Sequence, residues 1–142
     1  MSDQTSALLR AFVPASRRDL YLSHLGSLKG RALLRQALRQ FRDFDWQYVR
    51  PVPPAHHSPV ALHALLREHG ATGFCYLLSV DEALDGRTMP LVDALRQVMG
   101  CGSRTFISCL PGRLAYFEGD TAGERYLLER TDRGDDPGGY EC

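Results

Sequence analysis

Hydrophobic positions along the chain recur with two different periods, and the change between them divides it into a helical part and a sheet part. Over the first seventy residues leucine recurs at helical spacing. "SALLRAFV" runs up to Pro14, and "SRRDLYLSHL" opens on Ser16, a helix-capping type, carries Leu20, Leu22 and Leu25, and closes at Gly26. "SLKGRALLRQALRQF" puts Leu34, Leu38 and Phe41 on one face and Arg31, Arg35 and Arg39 on another. Gly30 inside it costs about 1 kcal/mol relative to alanine, which sets the expected helix start at Gly30 or just beyond. Pro51, Pro53 and Pro54 then enforce an extended connector, with a short strand expected at Trp46 to Val49. Ser58 followed by Pro59 is a cap with proline at the first helical position. It predicts a helix to His69 with Leu62, Leu65 and Leu66 inward and a stop at Gly70.

From there the pattern is that of strands. "FCYLLS", 74–79, is apolar at five successive positions, as in a strand buried on both faces. "LDGRTMP" is expected to turn the chain, and Pro90 to start a helix through Met99. A strand at 104–110 then completes a βαβ unit, for which a right-handed crossover and parallel strands are expected. With Pro111-Gly112 as a turn, Cys109 opposes Leu114, Ile107 opposes Tyr116 and Phe106 opposes Phe117. A plain Pro-Gly turn twists the wrong way for a tight hairpin, so a wider loop or a bulge is expected there. Arg125 to Glu129 reads as a half-exposed edge strand.

The fold class that results is α/β (mixed α+β). A helical N-terminal layer precedes a βαβββ mixed sheet of about four strands, covered on both faces because both faces of its hairpin are apolar. Residues 1–130 are expected to form a single globular domain, helical over 6–70 and sheet over 73–130. The polar, glycine-rich 131–142 is expected to be a disordered tail.

A chain of 142 residues with 44% hydrophobic content buries enough surface to need no staple. Seventeen basic and 17 acidic residues leave no net charge, which removes the simplest argument for a nucleic-acid or membrane partner. The balance is uneven, however: residues 1–50 carry nine Lys/Arg against four Asp/Glu, and the remainder eight against 13. Opposite halves can attract each other, or leave a basic face for a partner. Four cysteines at irregular spacing read as reduced thiols, and no signal peptide is visible. The expected compartment is the cytoplasm, with no membrane association.

Candidate chemistry is sparse. The glycines of "MGCGSRTFISCLPGR" follow a predicted helix, so carbonyls rather than free N–H groups face them, the wrong sign for a phosphate cradle. Cys101 at a helix C-terminus and Cys75 and Cys109 in strands lack activation. The histidines have no ligand spacing, and Ser108 lacks the glycine two positions earlier that a nucleophile elbow requires. No catalytic residue, metal ligand or cofactor is therefore assigned. What remains is the basic stretch 29–42, whose Arg31, Arg35, Arg39 and Arg42 are the candidate partner-binding residues for a protein with an acidic surface. Nucleic acid is the weaker partner, because no aromatic residue alternates with these arginines to stack on bases. The expected function is a small non-enzymatic protein-binding module, toxin-neutralising (immunity-like) or regulatory, with a homodimer as a further mode of association. Two alternatives stand beside it: an enzyme with a small-molecule pocket at the carboxyl end of the parallel strands, and nucleic-acid binding through helix 29–42.

Overall fold

A computed structural model describes residues 3–130, so the expectation of a disordered tail lies outside the described residues. Five helices and six strands alternate as α1 (Asp3–Phe12), α2 (Ala15–Leu22), α3 (Leu28–Leu38), β1 (Val49–Pro51), α4 (Pro59–Glu68), β2 (Phe74–Ser79), β3 (Thr88–Pro90), α5 (Leu91–Val98), β4 (Thr105–Leu110), β5 (Leu114–Glu118) and β6 (Arg125–Glu129). The strands form one sheet in the order β1-β6-β5-β4-β2-β3, antiparallel at every pairing.

This corrects the expected four-stranded sheet with parallel strands. Thr88–Pro90, taken as part of a turn, pairs with β2 through Phe74↔Pro90, Cys75↔Met89 and Tyr76↔Thr88. Inserting that strand reverses the chain before α5, so the helix joins β3 to β4 and not β2 to β4. β3 and β4 run the same way, but β2 lies between them and opposes both. Trp46–Tyr48 is a 3-10 turn and the short strand follows it at Val49–Pro51. By pairing with β6 this strand becomes the edge, so β6 is an interior strand rather than the half-exposed edge.

Two apolar layers enclose the sheet. On one face Leu62 and Leu66 of α4 and Leu91, Leu95 and Val98 of α5 pack on Cys75, Leu77, Ile107, Cys109, Leu114 and Tyr116. On the other, Leu8, Leu9 and Phe12 of α1 and Leu34 and Leu38 of α3 pack with Phe41 and Phe44 on Leu78, Phe106, Ala115, Phe117 and Leu128. The hairpin register is as read for Ile107↔Tyr116 and Phe106↔Phe117, but Leu110, not Cys109, opposes Leu114. The register shifts between Ser108 and Leu110, and the extra residue lets both Cys109 and Leu110 face the α4–α5 layer.

α3 begins earlier than its glycine suggested. Ser27 caps it, its hydroxyl accepting the Gly30 N–H at 2.9 Å. Gly30 is buried where the chain turns from α2 into α3, and a Cβ there would sit 2.1 Å from the His24 carbonyl oxygen. The glycine therefore permits a close backbone approach that no other residue allows. Gly30→Ala is expected to destabilise the protein by about 1–3 kcal/mol despite alanine's higher helix propensity, since relief of the clash must open the corner. Urea denaturation checks this, and a stabilised variant would contradict it.

Both edges of the sheet end in proline. Val52 N–H donates to Arg125 at 2.9 Å, so by alternation Val49 and Pro51 turn their backbone groups away from β6. Val49 N–H is taken by the Trp46 carbonyl and Pro51 has none. β1 thus presents no amide donor to an added strand.

Candidate functional site

The four arginines of the 29–42 stretch meet different fates, because α3 ends at Leu38 and its inner flank faces the β2–β3 connection. Arg31 is the most committed. Its Nε and Nη2 donate to the two carboxylate oxygens of Asp85, both at 2.8 Å, while Nη1 donates to Thr5 Oγ1 at 2.9 Å and Nη2 to Tyr76 Oη at 2.8 Å. Asp85, itself only 4% exposed, also accepts the Ser79 N–H at 2.9 Å. Burial works against the Arg31 charge, but the hydrogen bonds it donates to Asp85 and Tyr76 outweigh it and hold the guanidinium above its ordinary pKa. Arg35 leans on the same carboxylate at 3.5 Å and on Glu82 at 3.8 Å. Arg42, beyond the helix, donates to Glu124 at 2.8 Å.

Arg39 is different: it caps the C-terminus of α3, is exposed, and has no ion pair among the described residues. It borders a small cleft of about 110 Å³ with Val80, Gly102, Arg104 and Asp120. Acidic residues of the second half of the chain thus pair with Arg31, Arg35 and Arg42, while Arg39 has no ion pair among the described residues.

A residue that sequence reasoning missed explains how α3 is anchored. Arg104, 3% exposed, donates through Nε to the Leu38 carbonyl at 2.8 Å and through Nη2 to the Phe41 carbonyl. Its Nη1 reaches Glu124 at 3.2 Å. It thus satisfies carbonyls where α3 ends, at the negative end of its dipole. Glu118 is a second buried charge, accepting from Tyr116 Oη, from Arg125 Nε at 3.1 Å and from Gly100 N–H at 2.9 Å. Desolvation and the adjacent carboxylate drive the Tyr116 hydroxyl's pKa upward. Gly100 and Gly102 both have φ of +79° after α5, so the glycine pair punctuates a helix end. One of its N–H groups is aimed at Glu118 rather than at a ligand.

The ends of the strands that an enzyme would use do not converge. Ser79 lies opposite Thr105 at the start of β4, their hydroxyls 2.8 Å apart, and Asp81 caps the Ala83 N–H. Leu110 is at the other end of the antiparallel pair, so the expected shared carboxyl end is absent and the premise of that pocket falls. Burial pushes the Cys75 thiol up to about 12 and Cys109 higher still. His69 meets Glu129 at 3.0 Å and His57 the Val52 carbonyl, and among the described residues no three metal-ligating side chains come together. No helix among them is long and apolar enough to cross a membrane.

A solvent-open cleft adjoins the α2–α3 corner. His24, Leu25, Gly26, Ser27, Leu28 and Arg31 line a cleft of about 310 Å³. Leu28, the first residue of α3, is 92% exposed on its rim, and Leu20 on α2 and Leu33 on α3 are also exposed. Arg31 forms one wall, immobilised by the contacts above. The helix start expected at Gly30 or just beyond leaves Leu28 ahead of the helix, and the sequence carries no signal that it is left in water. The chain matches no protein-family model, no curated protein and no solved structure.

Proposed function

We propose that this chain is a small protein-binding module that uses the α2–α3 corner, in the manner of a regulatory or toxin-neutralising subunit. The observation that carries the reading is Leu28, held almost fully in solvent at the lip of an apolar cleft by a capped helix and a buried glycine. A leucine costs about 1.5–3 kcal/mol to leave exposed when it could be buried, and a partner's apolar side chain would recover that. Lys29 and Arg39 are the exposed cations of the same helix, and they suit an acidic rim on the partner. Arg31 and Arg35 act by shaping the surface, since Asp85 and Glu82 occupy them. Strand addition at β1 is disfavoured by its lack of donors, and the exposed Leu28 favours docking on the helix face.

The test is affinity capture of the full chain from its source cells, followed by purification of the recovered partner and titration against variants. Leu28→Asp is expected to weaken binding at least tenfold with unchanged circular dichroism and thermal midpoint, and Arg39→Glu to slow association in a salt-dependent way. Wild-type affinity in Leu28→Asp, or no stoichiometric partner, overturns the reading.

A further inference from the structure

Two cysteines that the proposed binding surface does not use lie on neighbouring central strands, in the same buried layer. In the β2–β4 pair the Val80 N–H donates to the Arg104 carbonyl at 3.0 Å, which makes that rung a hydrogen-bonded one. Rungs alternate, so Leu78↔Phe106 and Tyr76↔Ser108 are hydrogen-bonded while Ser79↔Thr105 and Leu77↔Ile107 are not. Extended by one position beyond its last rung, Tyr76↔Ser108, the same register would set Cys75 against Cys109 in a non-hydrogen-bonded position. Side chains approach most closely on such rungs, with Cα atoms about 4.5 Å apart, inside the range a disulfide spans. Ser79 and Thr105 show the effect directly: on the same kind of rung their hydroxyl oxygens are 2.8 Å apart. Cys75 and Cys109 both lie in the layer covered by α4 and α5, at 4% and 5% exposure. The irregularity in β4 falls in its pairing with β5, and it leaves Cys109 on that face.

We infer that Cys75 and Cys109 form a two-thiol oxidation site that closes to a cross-strand disulfide by exchange with a low-molecular-weight disulfide such as oxidised glutathione. The Cys75 thiolate attacks one sulfur of the oxidant, forming a mixed disulfide and releasing one thiolate. The Cys109 thiolate then attacks Cys75 Sγ, forming the protein disulfide and releasing the second. The two protein protons end on the two released thiols, so one disulfide is reduced for each one formed. Cys75 goes first because it adjoins β3, a three-residue edge strand whose opening uncovers it, and because burial raises its thiol less than that of Cys109. The closed form ties the two central strands together, and the reduced form leaves two small apolar fillers.

The experiment uses the full chain carrying Cys101→Ser and Cys142→Ser, so that only the pair remains. It is brought to equilibrium in glutathione buffers of graded ratio, quenched in acid, unfolded, alkylated and weighed intact. The expected product has lost two hydrogens, resists alkylation at both positions, and yields a Cys75–Cys109 cross-linked peptide after proteolysis. Its thermal midpoint should rise by about 10 °C over the reduced form. Further variants with Cys75→Ala or Cys109→Ala should lose the bridged species while still folding. Full alkylation of both cysteines at every ratio, or glutathione adducts without a bridge, overturns the inference.

Discussion

Arg31→Ala is expected to lower the unfolding free energy by about 3–5 kcal/mol, the range for removing one partner of a buried charge pair. Asp85 is 4% exposed and takes both of its close cationic contacts from Arg31 at 2.8 Å, so the variant strands a carboxylate whose remaining cation, Arg35, stands at 3.5 Å. Thr5 and Tyr76 lose a charged donor at the same time. The loss should appear in urea melts as a lowered midpoint with an unchanged slope. Arg31→Met combined with Asp85→Leu should recover much of it, because the cost lies in the unpaired charge and not in the absence of the pair. A single variant within 1 kcal/mol of the wild type would show that the network is not structural, and Arg31 would return to the partner-facing role that its sequence position suggested.

The second large effect is expected at the opposite end of α3. Arg104→Ala removes the side-chain donor to the Phe41 carbonyl, leaves the Leu38 carbonyl with the Phe41 N–H at 3.2 Å alone, and takes a buried cation from Glu124, at a cost of about 3 kcal/mol. Arg104→Lys should rescue little of this. A single ammonium cannot reproduce a planar fork that serves two carbonyls and Glu124 at once. Hydrogen exchange offers a local check, since the last turn of α3 should lose protection before the sheet does. Uniform loss of protection, or full rescue by lysine, would contradict the anchoring role. If the proposed binding surface is right, both variants should also weaken partner binding indirectly, by loosening the helix that presents Leu28.

Two buried charges, Arg104 and Glu118, were the least visible in the sequence. Arg104 precedes an apolar strand and Glu118 ends another, positions that ordinarily face water at a sheet's rim. Arg104 is buried because the end of α3 and the loop after it return to that rim, 66 residues away for Leu38, and Glu118 is held there by Arg125 and the Gly100 N–H. The arginine spacing at 31, 35 and 39 was legible as one helical flank, yet spacing cannot say what that flank faces. Asp85, 54 positions on, decides it. Gly30 reads as the weak point at which the helix starts, and Leu28 before it receives no role. Only the approach of the His24 carbonyl shows that the glycine is required and that the leucine is left outside.

What the sequence by itself determined is everything that a local period can carry. The helical repeat of leucines places α1 to α4, Ser58-Pro59 starts α4 where it was read, and the two-sided apolar hairpin demands covering layers on both faces of a sheet. The tertiary structure decided strand direction, strand number and the fate of each charge. β3 is three residues long and ends in proline, too short for any period to register, and it exists because β2 offers it backbone partners. That one strand turns an expected parallel pair into an antiparallel sheet. The physical reason is common to all these cases: burial periodicity is written in neighbours a few residues apart, whereas pairing and charge compensation join positions tens of residues apart, where only the folded chain brings donor and acceptor together.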